Sequence, residues 1–399
     1  MRKRVLIVMR LMKNIFCKKG SLMKKFWLTL LITCLTLFSV LSVSSCKSDS
    51  SKMKSSSPNK SDSGKTEAKN VYTRIDENGL ENENGNYVLF GLYPQTDVTS
   101  SVSTTLSNYV SIKPTSDNLK GWKSYKYYIN SSNSTDYMWY KDVDADSNGV
   151  YDYRAVYFTS YRLYLTSNNS STDGFYQDYN GYTTGNVYWF KYEPIKWRIL
   201  KESNGSAIIL AEMILDSQDY NYTSNSRTIN GNTVYGNNYE YSSIKAWLND
   251  NFYNTAFNEL QKGIIQTVEV DNSARSTNPD NNATQLNSGN NSYACSNTQD
   301  KVWLLSMQEV TRAVYGFSTS FDAYDTARRK KTTAYSQCQG AWTSTESSYA
   351  GNGNWWLRSP YYDSDNDARS VNSNGNTYFS YYVNYTICGV VPALQIALL

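Results

Sequence analysis

Short apolar runs separated by long polar stretches are the main pattern of this chain. Runs rich in apolar, aromatic and β-branched residues predict strands at 86–95, 137–140, 154–158, 195–200, 206–211 and 302–305. Asn204-Gly205 joins two of these runs and is a strong hairpin signal. Polar composition predicts long loops at 99–120, 165–186 and 271–299. The pattern therefore predicts a mixed or antiparallel sheet with long connections.

Few positions have the periodicity of a helix. One helix is predicted to begin at Ser242 or Ser243 as its N-cap. Its apolar residues lie on a single face and are Ile244, Trp247, Leu248 and Phe252. A second short helix is predicted to bury Phe257, Leu260 and Ile264. Ser306 and Glu309 have the spacing of a capping box and predict a third helix that ends at Gly316. The predicted fold class is thus α+β, with few short helices.

The C-terminal segment 361–388 has an unusual composition. It contains no Lys, Glu, Gln, Met, Trp, His, Leu or Pro, and every residue type in it can be encoded by a codon that ends in a pyrimidine. Such a segment is typical of a display surface diversified from Asn codons, and equally of a low-complexity polar hairpin. Asn374-Gly375 predicts a turn within it. A last strand is predicted near 389–398, with Pro392 at an edge or a bulge.

The N-terminal residues have the pattern of a lipoprotein signal peptide. Lys24-Lys25 precede an apolar run, and the small residues after that run lead to Cys46. This order resembles a bacterial lipobox, so we expect residues 1–45 to be removed and Cys46 to carry the lipid. The alternative is an uncleaved anchor, although the apolar run is short for a membrane span.

The charge of the chain changes once the signal is set aside. After residues 1–46 are removed, 30 basic and 35 acidic residues remain, a net charge of −5. Residues 46–70 have almost no apolar side chain and are predicted to be a flexible lipidated tether. Residues 71–399 are expected to form a single domain with a polar and acidic insertion around 99–186. Their acidic charge argues against nucleic-acid binding.

The residues that support most catalytic and metal chemistry are absent or scattered. The chain has no His, which excludes Ser-His-Asp and Cys-His catalysis and His-ligated metal centres. No C-x-x-C spacing indicates a zinc site. Outside the cytoplasm Cys295 and Cys338 can form a disulfide, which leaves Cys388 without a disulfide partner. The alternative is three free thiols.

Several motifs together resemble one bacterial family. They are Phe-Gly-Leu-Tyr-Pro-Gln at 90–95, Glu-Pro-Ile-Lys-Trp-Arg-Ile-Leu at 193–200, and the segments 246–257, 301–306, 355–360 and 389–394. In this order they resemble the domain-of-unknown-function 6273 family over roughly residues 86–399.

That family is similar, in its Trp-Trp-Leu-Arg-Ser and Gly-Val-x-Pro-Ala motifs, to C-type-lectin-like folds of the formylglycine-generating-enzyme type. The resemblance implies an exposed face formed by the terminal hairpin. The resemblance also includes bacterial lipoproteins of that fold in which retroelements diversify the C-terminal segment by rewriting Asn codons. Val391 stands where the ending usually has Arg. The enzyme's catalytic cysteine pair has no recognisable counterpart, so its activity is not implied.

The candidate ligand-binding residues lie in this segment. They are Tyr361, Tyr362, Asp363, Asp365, Asn372, Asn374, Asn376, Tyr378, Tyr381, Tyr382 and Tyr385. Tyr and Asn suit adaptable recognition, but Tyr also favours strands, so a polar edge hairpin without a ligand is the alternative. Of Trp355 and Trp356, one is expected in the core and one near the surface, because strand side chains alternate.

An acidic run offers the one candidate metal site. Four oxygen-bearing side chains fit positions 1, 3, 5 and 9 of a calcium loop: Asp144, Asp146, Asn148 and Asp152. Ala155 replaces the bidentate Glu of an EF-hand at the twelfth position. Calcium is therefore the only cofactor predicted, and a solvated acidic hairpin tip is the alternative.

The predicted function is ligand binding by a lipid-anchored, surface-exposed protein of the bacterial cell envelope. The expected ligand is a protein or a glycan. The lipid is expected to anchor the protein in the membrane. A glycan-processing hydrolase is an alternative, because Glu193, Glu212 and Glu309 could supply its carboxylate pair. Each of these acids also has a structural explanation at a strand edge, a strand end or a capping box. A structural envelope protein without a ligand is the third hypothesis.

Overall fold

The computed structural model describes residues 71–125, 137–162 and 176–399. The predicted signal peptide 1–45, the tether 46–70 and Cys46 lie outside the described residues. Mostly antiparallel sheets and few, short helices make up the described part. The prediction of the α+β class is therefore confirmed.

The strands of the described part are mostly short. They are β1 (Thr73–Ile75), β2 (Tyr87–Asp97), β3 (Lys123–Ser124), β4 (Met138–Val143), β5 (Tyr153–Phe158), β6 (Val187–Ser203), β7 (Ser206–Ala211), β8 (Met213–Ile214), β9 (Asp216–Ser217), β10 (Arg227–Ile229), β11 (Asn232–Val234), β12 (Val268–Val270), β13 (Thr298–Asp300), β14 (Val302–Trp303), β15 (Lys331–Thr332), β16 (Trp355–Pro360), β17 (Asp367–Val371), β18 (Ser380–Tyr382), β19 (Gly389–Val390) and β20 (Ala393–Ala397).

The helices are single turns or little more. The α-helices are α1 (Thr99–Val102), α2 (Tyr176–Tyr179), α3 (Ser243–Trp247), α4 (Tyr253–Ala256), α5 (Glu259–Lys262), α6 (Ser288–Tyr293) and α7 (Ala334–Cys338). A π-helical turn, Leu248–Phe252, joins α3 to α4. The 3₁₀ turns are Ser107–Val110, Ala274–Thr277, Asp280–Asn282, Glu309–Thr311, Ala313–Tyr315 and Thr326–Arg328.

The largest sheet is built around the long strand β6. β2 pairs along most of β6, whereas β5 and β7 pair with its first and last parts. β6 and β7 turn at Asn204 and Gly205, both with positive φ, so the predicted hairpin is confirmed. β20 and then β14 follow β7, and β4 and β3 follow β5.

The predicted amphipathic helix forms and faces the main core. Its four apolar residues are all buried, and the Ser242 side chain caps its first turn. The prediction was wrong for Leu260, which is 68% exposed. Phe257 adopts an extended conformation and interrupts the helix, so Leu260 on α5 is not on the face that continues from α4.

The stretch 271–299 is more regular than its composition predicts. It contains two 3₁₀ turns, α6 and β13 instead of one long loop. Asn side chains explain the difference, because Asn287 and Asn290 form a reciprocal capping box at the start of α6. Because Asn, Ser and Thr are common in loops, composition alone predicts a loop for such a stretch.

The polar insertion extends the large sheet and carries a small core of its own. β4 and β5 pair with each other, and β5 pairs with β6. Three Trp rings, Trp122, Trp139 and Trp189, are buried in this second core together with Leu106 and Val110. The predicted loop at 99–120 is therefore partly helical and covers this core.

Candidate functional site

A five-stranded sheet positions the C-terminal segment. Its order is β18-β17-β16-β19-β9, with β17 antiparallel to both β16 and β18. β16 is buried along its whole length, and β18 is the last strand at one side of this sheet. Residues 361–366 join β16 to β17, and residues 372–379 join β17 to β18. The candidate residues lie mainly on these two connections and on β18.

Trp355 and Trp356 are both fully buried, so the expectation that one ring lies near the surface was wrong. Alternation does direct the rings to opposite faces, but both faces of the sheet are covered. The Trp355 indole donates a hydrogen bond to the carbonyl of Arg328 (3.1 Å), and the Trp356 indole donates to that of Gln218 (2.8 Å). The two rings therefore belong to the scaffold.

Four aromatic side chains of the segment reach the surface. Tyr362 is 38% exposed, Tyr378 62%, Phe379 48% and Tyr382 48%. Tyr361 is half-buried and lies against Tyr362, with 4.8 Å between ring centroids. We call Tyr361, Tyr362, Tyr378, Phe379 and Tyr382 the aromatic face. Tyr378 likewise contacts Phe379, with 5.8 Å between ring centroids, and exposed aromatic surface of this kind is a common mark of an interaction site.

Arg369 on β17 links the two connections of the aromatic face. Its guanidinium carbon lies 4.5 Å from the centroid of the Tyr361 ring and 5.4 Å from that of Tyr362. Its Nη1 donates a hydrogen bond to the carbonyl of Tyr378 (3.0 Å). Burial lowers the pKa of Arg369, and the neighbouring tyrosines partly offset that effect.

Tyr381 and Tyr385 pack more deeply than the rest of the predicted tyrosines. The Tyr381 ring lies edge-on to Trp356, with centroids 6.4 Å apart, and its hydroxyl accepts a hydrogen bond from Asn354 (3.0 Å). Tyr385 contacts the rings of Tyr381 and Tyr382. Burial is the main cause that raises the pKa of Tyr381. Tyr381 therefore joins the surface to the core.

The predicted Asn residues build the turn between β17 and β18. The amide of Asn372 donates to the carbonyl of Asn376 (2.8 Å), and Asn376 is buried and donates to the carbonyl of Asp322 (2.8 Å). The Asn374 carbonyl accepts from Arg329 (3.0 Å). Gly375 has a positive φ, and a Cβ there would lie 2.1 Å from a backbone oxygen, so only Gly fits this turn. These Asn side chains and carbonyls hold the turn in place.

The predicted Asp residues lie on the connection between β16 and β17. Asp363 is exposed and Asp365 is half-buried. Asn237 anchors this connection through its backbone amide to the carbonyl of Asp365 (3.2 Å) and through its side chain to that of Ser364 (2.7 Å). Burial raises the pKa of Tyr293 on α6, and the nearby carboxylates of Asp365 and Asp363 add to that effect. They give the border of the aromatic face a negative charge.

The predicted calcium loop brings its carboxylates together. Asp144, Asp146 and Asp152 offer oxygen atoms that lie within 4.8 Å of one another at the tip of the β4–β5 hairpin. Backbone amides of the loop already donate to these carboxylates, for example that of Gly149 to Asp144 (2.8 Å). Asn148 lies in the same loop and donates through its side chain to Asp146 (3.0 Å). Calcium binding stays a prediction, since exposed acids also group in this way without an ion.

The three Glu residues of the hydrolase hypothesis have different partners. Glu193 accepts from Thr96 (2.6 Å), and Glu212 pairs with the buried amine of Lys330 (2.7 Å). Glu309 pairs with Arg358 and accepts from the amide of Ser306 (2.9 Å), while its own amide donates to the Ser306 hydroxyl (3.2 Å). The predicted capping box therefore forms, although it starts a 3₁₀ turn rather than an α-helix.

The structure contains three free thiols, at Cys295, Cys338 and Cys388. Cys295 and Cys338 therefore do not form the disulfide that was one of the two predicted alternatives. Burial raises the pKa of Cys295 to about 11 and raises those of the other two thiols as well. Such thiols are poor nucleophiles because the reactive form is the thiolate.

Two members of the site were not among the predicted residues. Phe379 is exposed beside Tyr378, and Arg369 connects the tyrosines. One signal for Arg369 was present in the sequence, since it is the only Lys or Arg in 361–388. Its role depends on two rings from one connection and a backbone carbonyl from the other, and no local pattern predicts that arrangement.

The described residues contain no helix that is long and apolar enough to cross a membrane.

Neither a search of curated proteins nor a search of solved structures returned a match. Residues 204–398 match the model of the family described as Domain of unknown function (DUF6273). The matched residues include the whole five-stranded sheet and the aromatic face, whereas the motifs at 90–95 and 193–200 precede them. The match supports the family assignment for this C-terminal part of the chain.

Proposed function

We propose that this chain is a ligand-binding protein of the bacterial cell envelope that contacts a protein or a glycan through the aromatic face. The observation that carries the proposal is the exposure of Tyr362, Tyr378, Phe379 and Tyr382 on the connections and the last strand of a sheet whose central strand β16 is fully buried. Aromatic side chains supply much of the binding energy in interfaces because they bury large areas with few rotatable bonds.

The division of the segment into scaffold and surface supports this function. Ala368, Val371 and Val383 are completely buried, and Asn376 fixes the turn. The exposed aromatic residues lie on connections or on the last strand of the sheet, where a substitution disturbs little packing. A binding surface of this construction can change its side chains while the scaffold remains intact.

We further propose that the domain is C-type-lectin-like and that residues 361–388 are diversified through Asn codons. The motifs of 355–360 and 389–394 support the first part, and the pyrimidine-ending residue types support the second. Sequencing of the neighbouring DNA tests the second part. A reverse transcriptase gene with a near-copy of the C-terminal coding segment is the expected result, and a neighbourhood without either would contradict it.

The proposed location is the outside of the cell envelope, with Cys46 as the lipid-bearing residue. The Lys-containing tether 46–70 would then lie near the membrane, and the acidic domain would extend from it. An exposed aromatic face suits this arrangement, since a tethered domain meets its ligand at the cell surface.

A binding screen tests the proposed function. The full chain is applied to glycan and protein arrays beside a variant with Tyr362→Ser, Tyr378→Ser and Tyr382→Ser. The matched control carries Tyr109→Ser and Tyr179→Ser, at two exposed tyrosines outside the segment. We expect the first variant to lose binding and the control to retain it. Equal binding by all three proteins, or binding by none, would contradict the proposal.

A further inference from the structure

Arg369 differs from the other buried arginines of the described residues in having no acidic partner. Arg154, Arg162, Arg328 and Arg358 are each buried and paired with an Asp or Glu. Arg369 is only 7% exposed and forms no ion pair with any described Asp or Glu. A buried charge without a counter-charge is costly, because the surrounding protein does not replace the hydration that the charge has lost.

The hydrogen-bonding capacity of Arg369 is also incompletely used. Within the described part of the chain its guanidinium donates only to the carbonyl of Tyr378, and the buried Nε has no partner. The rings of Tyr361 and Tyr362 offer their faces to the cation, which compensates it in part. A planar group with free donors that lies against two tyrosine rings, beneath a surface with exposed aromatic side chains, is suited to a carboxylate.

We propose that Arg369 is the anion-binding point of the aromatic face and that the ligand is a glycan with a carboxylated sugar. This inference rests on the proposed function of that face. A single carboxylate supplies the missing counter-charge and can accept from Nε and Nη2 together. The neighbouring rings of Tyr362 and Tyr378 can pack against the apolar faces of the sugar rings.

The charges around Arg369 favour one carboxylate over a densely anionic polymer. Residues 361–388 contain three Asp and no cation other than Arg369. Asp363 and Asp365 border the aromatic face and would repel nucleic acid, a polyacidic peptide or a heavily sulfated chain. The same carboxylates can accept hydrogen bonds from sugar hydroxyls, so they suit a sugar that carries one negative charge.

Because Arg369 is buried, a ligand reaches its guanidinium only after a neighbouring side chain has moved. Tyr362 is 38% exposed, and exposed side chains change rotamer on the picosecond to nanosecond timescale. Rotation of this ring, whose centroid lies 5.4 Å from the guanidinium carbon, would open one side of the guanidinium, while Tyr361 and the Tyr378 carbonyl keep it in place. The site is thus largely formed before a ligand arrives.

The test uses an array of oligosaccharides that end in glucuronic, galacturonic or N-acetylneuraminic acid. Each is printed beside its counterpart in which the carboxyl group has been reduced to the alcohol. We expect the full chain to bind at least one acidic form about tenfold or more tighter than its reduced form. Arg369→Gln should remove this difference, and Arg369→Lys should retain part of it because the charge remains.

Arg227→Gln is the matched control. Arg227 also lies over a tyrosine ring, that of Tyr222, and donates to one backbone carbonyl, that of Tyr241, but it is remote in sequence from the aromatic face. This variant should keep the preference for the acidic form. Unfolding curves of all variants show whether each one is folded, and the comparison of acidic with reduced forms on the unmodified chain needs no variant.

The outcomes separate this inference from the proposed function. Equal binding of acidic and reduced forms, binding to proteins only, or an undiminished preference in a folded Arg369→Gln variant would overturn the inference. In those cases the aromatic face remains a binding surface, and Arg369 only holds its two connections together. If the full chain binds neither glycans nor proteins, both the inference and the proposed function are wrong.

Discussion

Arg154 and Asp142 form a bidentate ion pair inside the protein. Nε lies 2.7 Å from Oδ1 and Nη2 lies 3.0 Å from Oδ2, and both side chains are almost completely buried. The Tyr192 hydroxyl donates to the same carboxylate (2.9 Å), and Nη1 of Arg154 donates to the Tyr335 hydroxyl (3.1 Å). The pair therefore connects the β4–β5 hairpin of the insertion to β6 and to α7.

Removing one partner of this pair should destabilise the protein strongly. Asp142→Ala leaves the Arg154 charge buried without a counter-charge, which typically costs about 3–5 kcal/mol of unfolding free energy. Replacing both partners, with Asp142→Leu and Arg154→Met, should restore most of the loss because no charge remains to be compensated. Urea unfolding measures both effects, with Asp117→Ala at an exposed position as the control. A loss below about 1 kcal/mol for Asp142→Ala would show that solvent reaches the pair.

Asp216 should make stability depend on pH. Burial raises its pKa to about 6, although the Tyr93 hydroxyl and the Ser217 amide donate to it and lower the pKa in part. The unfolded chain loses this proton near pH ~4, so between about pH 4 and 6 the folded protein binds more protons. The contribution of Asp216 to stability is therefore fully present below about pH 4 and is lost as the pH rises through about 6.

Asp216→Asn should reduce this dependence because the amide does not titrate, and the part that remains comes from Asp219, whose pKa burial also raises to about 6. The measurement is the free energy of unfolding at several pH values between about 4 and 7, where a carboxyl with a raised pKa changes its charge. Asp363→Asn, at an exposed carboxyl, should retain the slope of the unmodified protein. An unchanged slope in Asp216→Asn would mean that other groups cause the pH dependence.

Features that depend on neighbouring residues could be predicted from the sequence. The Asn204-Gly205 turn, the helix face around Trp247 and the Ser306–Glu309 box each depend on residues a few positions apart. Pairing between distant segments could not be predicted in the same way. Trp355 lies on β16, which pairs with β17 on one side and with β19 on the other, and residues near Arg328 cover its ring. Alternation along one strand does not show whether a second face is covered.

The candidate site shows the same limit. Tyr381 and Tyr382 are adjacent and have similar neighbours in the sequence, yet their surroundings differ. Tyr381 pairs across the ladder with Ala368 and points toward the core, whereas Tyr382 pairs with Asp367 and points toward solvent. Composition predicted that this segment is unusual, but the register of β17 and β18 decides which tyrosines are exposed.

Calcium should stabilise the protein if the acidic loop binds it. A ligand that binds only the folded state raises the melting temperature by mass action, and Asp144, Asp146 and Asp152 already have their oxygens close together. Asp144→Ala combined with Asp146→Ala should remove the gain, while Asp117→Ala should retain it. The measurement is thermal unfolding with millimolar calcium and with a chelator. No shift in the unmodified protein would leave a solvated acidic hairpin.

Cys46 should carry a lipid. It follows the small residues of the lipobox-like sequence, and labelled fatty acid should therefore enter the protein in growing cells. Cys46→Ala should abolish the labelling and leave unprocessed precursor, whereas Cys34→Ala within the apolar run should not. Unchanged labelling of Cys46→Ala would show that the lipobox is misidentified.

The tyrosines of the segment should separate into two groups by their effect on stability. Tyr362→Ala, Tyr378→Ala and Tyr382→Ala should each cost less than about 1 kcal/mol, as substitutions at exposed sites usually do. Tyr381→Ala should cost about 2 kcal/mol or more, because its ring packs on Trp356 and its hydroxyl accepts from Asn354. Trp356→Ala should cost about 3–5 kcal/mol, since that ring is fully buried. Thermal and urea unfolding of the series measures these losses.

Binding should respond in the opposite order. Truncation of an aromatic anchor at the centre of an interface can cost about 2 kcal/mol or more of binding free energy. Tyr378→Ala and Tyr362→Ala should therefore weaken binding on the arrays while their unfolding curves stay close to that of the unmodified protein. Stability losses as large at Tyr362, Tyr378 and Tyr382 as at Tyr381 would make these residues part of the core. In that case their exposure would not reflect a surface that is free to bind, and the aromatic face would lose its role.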